Sequence, residues 1–182
     1  MRIITKRLIL RPLENKDCNS LIENLNNLHV SKWLLVVPYP YKIKDAKWWV
    51  NHTKRQWKDK DKKDFNFGIE LKEEKKVIGG IGLTKVDKFN GTAEVGYWLG
   101  ENYWRMGYGS EALEVILKLA FNKLKLRRIT AGVFEGNPSS GKLLEKFGAT
   151  YEGMKRKSHR CKADGKIKSE IIYGLLKEDW KR

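Results

Sequence analysis

The chain has 182 residues, of which 41% are hydrophobic and 11% aromatic. This length is too short for two ordinary domains joined by a linker, and this composition excludes an intrinsically disordered chain. The 38 Lys and Arg residues against 22 Asp and Glu give a formal net charge of +16, which favours anionic partners without identifying one.

The two cysteines, Cys18 and Cys161, lack the spacing of a disulfide framework or a zinc site. Two unpaired thiols suit a reducing compartment. Residues 1–7 contain no apolar signal segment, and no window reaches the roughly 18 apolar residues that a membrane span requires. We therefore expect a cytoplasmic protein with no membrane association and no bound metal.

The first half of the chain is predicted to form a strand, two helices and three strands. Residues 3–11 are rich in β-branched and basic residues and stop at a proline, which indicates a strand. Apolar residues at helical spacing predict a helix over 17–28, and a second helix over 43–59 follows a proline-rich interruption. The three further strands are predicted over 65–71, 77–85 and 92–99.

The second half opens with the strongest helical signal of the chain. From residue 107 to 124, apolar residues fall on one stripe of a helix. The remaining elements are a strand over 128–134, a short helix over 139–147, and strands over 151–161 and 166–176. The pattern predicts one α/β domain over residues 1–182, in which helices cover a mixed sheet.

A glycine-rich turn joins the strand over 92–99 to the long helix. Gly107 and Gly109 let the backbone approach a ligand closely, and the free amides from Gly107 to Ser110 converge at the helix N-terminus. Arg105 adds a positive charge at the rim. A helix start of this kind binds anions such as phosphate, although a glycine pair alone is more often a simple turn.

Several stretches together resemble the GNAT superfamily, and in particular its ribosomal-protein alanine N-acetyltransferases. The likeness covers nearly the whole chain and is carried by residues 5–12 (TKRLILRP), 96–99 (GYWL), 107–113 (GYGSEAL), 137–140 (NPSS) and 146–149 (KFGA). It implies one GNAT-like α+β domain with a mixed, mostly antiparallel seven-stranded sheet flanked by helices. It also implies that acetyl-CoA is used and that CoA is released.

The resemblance assigns residues to the two parts of acetyl-CoA. The residues implied are Tyr97, Trp98 and Leu99 for the pantetheine arm, Arg105, Met106, Gly107, Tyr108, Gly109 and Ser110 for the pyrophosphate, and Asn137 for the pantetheine region. The sequence departs from the family where Trp104 replaces a usual Gln or Arg. It departs again at Leu144, where a tyrosine acid is frequent, while Ser140 matches a serine proposed as the acid in this branch.

Glu94 is the predicted catalytic base. No cysteine or serine stands in a nucleophile motif, so we expect direct transfer of acetyl to an amine, and an ammonium group must first lose a proton. Glu94 precedes Gly96 by two residues and so shares its face of the strand. A solvent-facing glutamate paired with a lysine is the alternative, and water or Glu70 is the other candidate base.

The sequence leaves the acceptor and the assembly open. Family likeness and the positive charge favour a protein N-terminal amine, with ribosome association, over a polyamine or an antibiotic. A non-catalytic nucleic-acid-binding module is the competing class, on the basic and aromatic residues of 54–58 and 155–160. The stretch 136–143 resembles a P-loop, but it ends in Leu143 where a P-loop has the Ser or Thr that binds Mg²⁺.

Four tryptophans are predicted either to pack in the core or to line the acceptor groove: Trp33, Trp48, Trp49 and Trp57. Monomer and homodimer both stay open.

Overall fold

The structure is a computed structural model that describes residues 1–181. It contains one eight-stranded sheet in the order β1-β2-β3-β4-β5-β6-β8-β7. The strands are β1 (Ile3–Ile4), β2 (Leu8–Arg11), β3 (Phe65–Leu71), β4 (Lys76–Asp87), β5 (Thr92–Leu99), β6 (Arg128–Phe134), β7 (Thr150–Arg160) and β8 (Ile167–Leu176). The helices are α1 (Cys18–Leu25), α2 (Leu28–Ser31), α3 (Ile43–Lys58), α4 (Tyr108–Lys118) and α5 (Pro138–Lys146).

The predicted first strand over 3–11 is wrong, because it is two strands. Thr5 makes a tight turn in which its hydroxyl accepts a hydrogen bond from the amide of Leu8 at 2.9 Å. The chain reverses there, and β1 pairs with β2 in antiparallel register, Ile3 opposite Leu10. The sheet therefore has eight strands and not the predicted seven.

The helix predicted over 17–28 is also divided. It ends at Leu25, and α2 begins after Asn27, whose side chain caps the new helix by accepting from the amide of His29 at 2.8 Å. The strands over 65–71, 92–99 and 128–134 are confirmed to the residue. The long helix begins at Tyr108, and its last predicted turn is a π-helical segment, Leu119–Lys123.

Strands β5 and β6 form the parallel pair of an otherwise antiparallel sheet. They are paired at Thr92↔Arg128, Ala93↔Ile129 and Glu94↔Thr130. Beyond Glu94 and Thr130 the described residues of these two strands are not paired with each other, so the strands diverge. The sheet therefore opens between Gly96 and Gly132.

Each face of the sheet is covered by its own apolar cluster. On one face, Leu113, Ile116 and Leu117 of α4 are buried against the strands. On the other, α1 and α3 pack together around Leu21 and Val50. Burying such a side chain stabilises the fold by about 1.5–3 kcal/mol. The first cluster includes Val95 of β5 and Ala131 of β6, so packing holds both strands that border the opening.

Among residues 1–181, no helix has the combination of length and apolar character that crossing a membrane demands.

Candidate functional site

A cleft of about 670 Å³ lies where β5 and β6 diverge. Its walls come from β5, from β6, from the N-terminal ends of α4 and α5, and from the loop after α2. Every predicted cofactor residue except Met106 lines this cleft, and so does Ser140. The predicted base Glu94 lies outside the lining.

One end of the cleft is the turn that begins α4. Gly107 is the N-cap and has φ of +80°, and Arg105 has φ of +61°, so both residues adopt the left-handed region. The first intrahelical bond runs from the amide of Glu111 to the carbonyl of Gly107 at 3.1 Å. The amides from Tyr108 to Ser110 precede this bond and can donate to an anion in the cleft.

The turn is held in place by Arg7, whose role was not predicted from the sequence. Its Nη1 donates to the carbonyl of Met106 at 2.8 Å, and its guanidinium lies 4.4 Å from the centre of the Tyr108 ring. Its Nε also donates to Glu111 at 2.7 Å. A side chain on the β1–β2 turn therefore fixes the loop that precedes α4.

Glu111 is the second part of this brace. Its carboxylate accepts from the hydroxyl of Thr5 at 2.6 Å and from the backbone amide of Arg7 at 2.7 Å. Burial raises the pKa of Glu111, but the hydrogen bonds from Thr5 and Arg7 outweigh it and leave the pKa below its ordinary value. The carboxylate is thus ionised when it braces the helix start.

Trp104 stands at the position where the family usually has Gln or Arg. Its side chain contacts β5 and supplies no charge. Its Nε1 donates to the carbonyl of Leu99 at 2.8 Å. Leu99 was predicted to offer its backbone to the pantetheine arm. Its carbonyl accepts this one hydrogen bond, and the contact of Leu99 with the pantetheine arm stays a prediction.

Ser140 and Tyr97 form a hydroxyl pair deep in the cleft. The Ser140 hydroxyl donates to Tyr97 Oη at 2.9 Å, and the Tyr97 hydroxyl donates to the Ser140 carbonyl at 2.9 Å. Burial raises the pKa of Tyr97 to about 12. The phenol was missed as a chemical group because the family resemblance assigned Tyr97 only to the contact with the pantetheine arm.

Asn137 lies at the start of α5. It is the N-cap residue, its amide donates to the carbonyl of Phe134 at 3.1 Å, and it lines the cleft. Its contact with the pantetheine region stays a prediction.

The two predicted bases are both in ion pairs. Glu94 shares the face of Gly96, as expected, and accepts from Lys85 Nζ at 2.9 Å with its side chain 48% exposed. Glu70 is held by Arg11 at 2.5 Å and is not part of the cleft lining. The assignment of Glu94 as base stays a prediction.

Glu170 on β8 is the carboxylate that does line the cleft. It lies opposite Phe134 in the sheet register, and its side chain is only 19% exposed. Nothing in the local sequence marks it, because it is brought to the opening by the pairing of β6 with β8. Only the strand order could have revealed its position.

The four tryptophans do not form one cluster. Trp33 lines the cleft. Trp48 is exposed on α3 and Trp49 packs against the apolar cluster under that helix, and both stack with His52. Trp57 packs edge-on against two core phenylalanines. The predicted aromatic wall is therefore compatible with Trp33 alone.

The described residues 1–181 include no group of three or more His, Cys, Asp or Glu side chains that could hold a metal ion. Cys18 and Cys161 are buried free thiols.

The comparison with protein families matches the acetyltransferase (GNAT) domain to residues 7–150. The chain belongs to this family. The match spans β2 to the start of β7, so it includes both strands that border the cleft and both helices that begin at it. The GNAT fold and N-acetyltransferase activity expected from the sequence are confirmed.

Three relatives show how far the likeness extends. N-acetyltransferase p20 of Bacillus licheniformis is 32% identical over 98% of this chain and 97% of its own. YdaF of Bacillus subtilis, provisionally named a ribosomal N-acetyltransferase, is 28% identical over 97% of this chain and 95% of its own. The crystal structure of a GNAT-family acetyltransferase from Bacillus anthracis has a TM-score of 0.80 and 29% identity, covering 98% of this chain and 99% of its own.

Proposed function

We propose that this N-acetyltransferase transfers the acetyl group of acetyl-CoA directly to a protein N-terminal amine. The observation that carries the proposal is one cleft between the diverging strands β5 and β6 that is lined both by the first residues of α4 and by the Glu170 carboxylate. An anionic cofactor at the α4 amides and an amine near the carboxylate can therefore meet in the same cleft.

The α4 end fits the diphosphate of acetyl-CoA. The amides of Tyr108, Gly109 and Ser110 precede the first helical bond, and Arg105 and Gly107 line the same end. Each hydrogen bond to a charged oxygen contributes about 1.5–3 kcal/mol. A protein of the same fold, RimJ of Mycobacterium smegmatis, has been solved with a CoA disulfide, at 20% identity and a TM-score of 0.82.

The middle of the cleft supplies a group for the departing thiolate. Ser140 carries a hydroxyl at the start of α5, where the positive end of the helix dipole favours an anion. The hydroxyl of Tyr97, 2.9 Å away, can replace the proton that Ser140 gives up. We assign the acid role to Ser140, supported by Tyr97.

A protein N-terminus is favoured over a small polycation by charge. The net charge of +16 repels spermidine-like acceptors in solution but tolerates the single ammonium of a peptide. Among relatives, YdaF and a ribosomal-protein-serine acetyltransferase of Escherichia coli carry ribosomal names; the latter is 32% identical over 44% of this chain and 45% of its own. A Vibrio cholerae spermidine N-acetyltransferase shares the fold at 20% identity and a TM-score of 0.78.

An acetyl-CoA turnover screen tests the proposal. The acceptors are peptides that begin with Ala, Ser or Met, together with spermidine and an aminoglycoside. We expect the highest kcat/KM on one of the peptides. A polyamine with far higher kcat/KM than every peptide would contradict the protein acceptor and leave the reaction class intact.

A further inference from the structure

Two glycines face each other where β5 and β6 diverge, and their surroundings differ. A Cβ added to Gly96 would meet no heavy atom within 4 Å, which is open space in the cleft. A Cβ added to Gly132 would come within 2.0 Å of Glu170 Oε1. The absence of a side chain at Gly132 therefore gives the Glu170 carboxylate its place beside the opening.

The two oxygens of Glu170 have different partners. Oε2 lies 3.2 Å from His159 Nε2 and 3.2 Å from Lys155 Nζ, both on β7. Oε1 lies beside Gly132, which lines the cleft. The carboxylate is thus anchored through Oε2, and its Oε1 lies beside a residue that lines the cleft.

The groups around this carboxylate come from four strands. Lys155 and His159 belong to β7, Lys168 to β8, Lys85 to β4 and Glu94 to β5. Lys85 is bound to Glu94 and also feels the charge of Glu170. Lys168 is held by Asp164 at 3.0 Å and lies about 5 Å from the ring centres of Trp33 and Phe134.

We propose that Glu170 binds the ammonium group of the acceptor in the cleft and takes one proton from it, and that His159 passes this proton to solvent. The proposal rests on the acetyl-transfer function proposed above and names the residue that recognises its second substrate. Glu170 suits the role better than Glu94, because its side chain is 19% exposed and lines the cleft, whereas that of Glu94 is 48% exposed and does not. An ion in a less exposed site interacts more strongly with its partner.

The step is balanced as follows. The ammonium gives one proton to Glu170, and the free amine forms the new C–N bond to the thioester carbonyl. The C–S bond breaks with its electron pair on sulfur, and the second proton of the nitrogen is transferred, through solvent or the Ser140 hydroxyl, to the thiolate. The proton held by Glu170 leaves through His159, which is 28% exposed, so one proton is released per ammonium acetylated.

The test compares Glu170→Gln with wild type on a peptide that begins with Ala, from about pH 6 to about pH 9. We expect kcat/KM at neutral pH to fall by about 10²- to 10⁴-fold, the usual contribution of general base catalysis. The loss should shrink as pH rises above the acceptor's pKa of about 8, because the free amine needs no base. An unchanged kcat/KM across this range would overturn the proposal.

Two further variants separate position from charge. Gly132→Ala keeps the carboxylate but forces it to move, so we expect an intermediate loss of kcat/KM and unchanged binding of acetyl-CoA. The matched control is Glu152→Gln, since Glu152 is also a β7–β8 hairpin glutamate that lies over a glycine, Gly174, and pairs with an arginine, but outside the cleft. We expect this variant to keep wild-type kinetics, and an equal loss at Glu152 would overturn the proposal.

His159→Gln tests the proton exit. We expect a smaller loss than at Glu170, restored in part by imidazole added to the buffer, which a purely structural role would not allow. A loss that imidazole leaves unchanged would overturn the relay.

A binding assay separates this proposal from the proposed function. Alaninamide is titrated into the CoA-saturated protein and followed by tryptophan fluorescence or calorimetry. If wild type acetylates no amine, the proposed function fails, and Glu170 is still judged by whether alaninamide binds wild type and not Glu170→Gln. Equal affinity for both, or no binding to wild type, would overturn the ammonium site.

Discussion

The two ends of the cleft are built in opposite ways. The α4 end is made of consecutive residues, 105–110, braced by Arg7 and Glu111. The end that we propose for the acceptor is made of Trp33, Gly132 and Glu170, from segments far apart in the chain. The free amides of a helix N-terminus come from a few consecutive residues, so a short stretch of sequence is enough to form an anion site. The contact between Glu170 and Gly132 instead depends on which strands are neighbours in the sheet.

The largest expected effect is a loss of acetyl-CoA affinity at the α4 end. Gly107→Glu and Gly109→Glu place a bulky anion where the α4 amides converge, so we expect the affinity for acetyl-CoA to fall by about 10²-fold or more, the equivalent of two lost hydrogen bonds to charged oxygen. Isothermal calorimetry on the folded variants measures this.

The control for this change is Gly107→Asn, because asparagine tolerates positive φ better than other residues and carries no charge. We expect it to keep most of the affinity. Unchanged affinity in both glutamate variants would remove the diphosphate site from this turn.

The next effect lies between the two ends. Ser140→Ala should lower kcat by about 10²-fold while the affinity for acetyl-CoA holds, because we propose that the hydroxyl protonates the departing thiolate. If Ser140 and Tyr97 act as one unit, Ser140→Ala, Tyr97→Phe and the double variant should lose kcat by similar factors. Fully additive losses in this cycle would contradict a shared role.

The two ends also differ in how much of them could be predicted from the sequence. The strand over 92–99, the glycine turn and the α4 helix come from local patterns, and the structure confirms them. Glu94 was chosen by period-two alternation, which gives the face of the strand correctly but cannot show that Lys85 occupies the carboxylate. Lys85 belongs to the neighbouring strand β4.

The division of the first strand failed for a related reason. The turn is closed by hydrogen bonds between Thr5 and Leu8, and the apolar and basic residues of 3–11 continue across it without a break that marks it. Glu170 and Gly132 could not have been predicted at all, because their contact requires β8 to lie beside β6. The sequence therefore predicted the groups that consecutive residues form, and it did not predict the contacts between side chains on different strands.

A smaller effect distinguishes the two carboxylates of the acceptor face. Glu94→Gln should lower kcat/KM by less than Glu170→Gln does, because the Glu94 side chain is half-exposed and lies outside the cleft lining, whereas Glu170 is less exposed and lines it. Parallel kinetics of the two variants at neutral pH decide between them. A loss of about 10² or more at Glu94, with little loss at Glu170, would restore Glu94 as the base.

The smallest effect concerns the stability of the brace at the α4 end. The folded-state pKa of Glu111 is lowered, so the unfolded chain binds the proton more readily, and the carboxylate stabilises the fold fully above its unfolded pKa of about 4.3. This stabilisation is lost as pH falls through the folded pKa. Because Arg7 is 39% exposed, we expect Glu111→Gln to lower the free energy of unfolding by only about 1 kcal/mol at neutral pH. Urea denaturation from about pH 7 to about pH 3 should show the difference from wild type shrinking toward acid.

The matched control is Glu114→Gln on the same helix, whose exposed pair with Lys118 should contribute at most about 0.5 kcal/mol. A Glu111→Gln difference that stays constant with pH would show that packing, and not the charge, holds Arg7 against the start of α4.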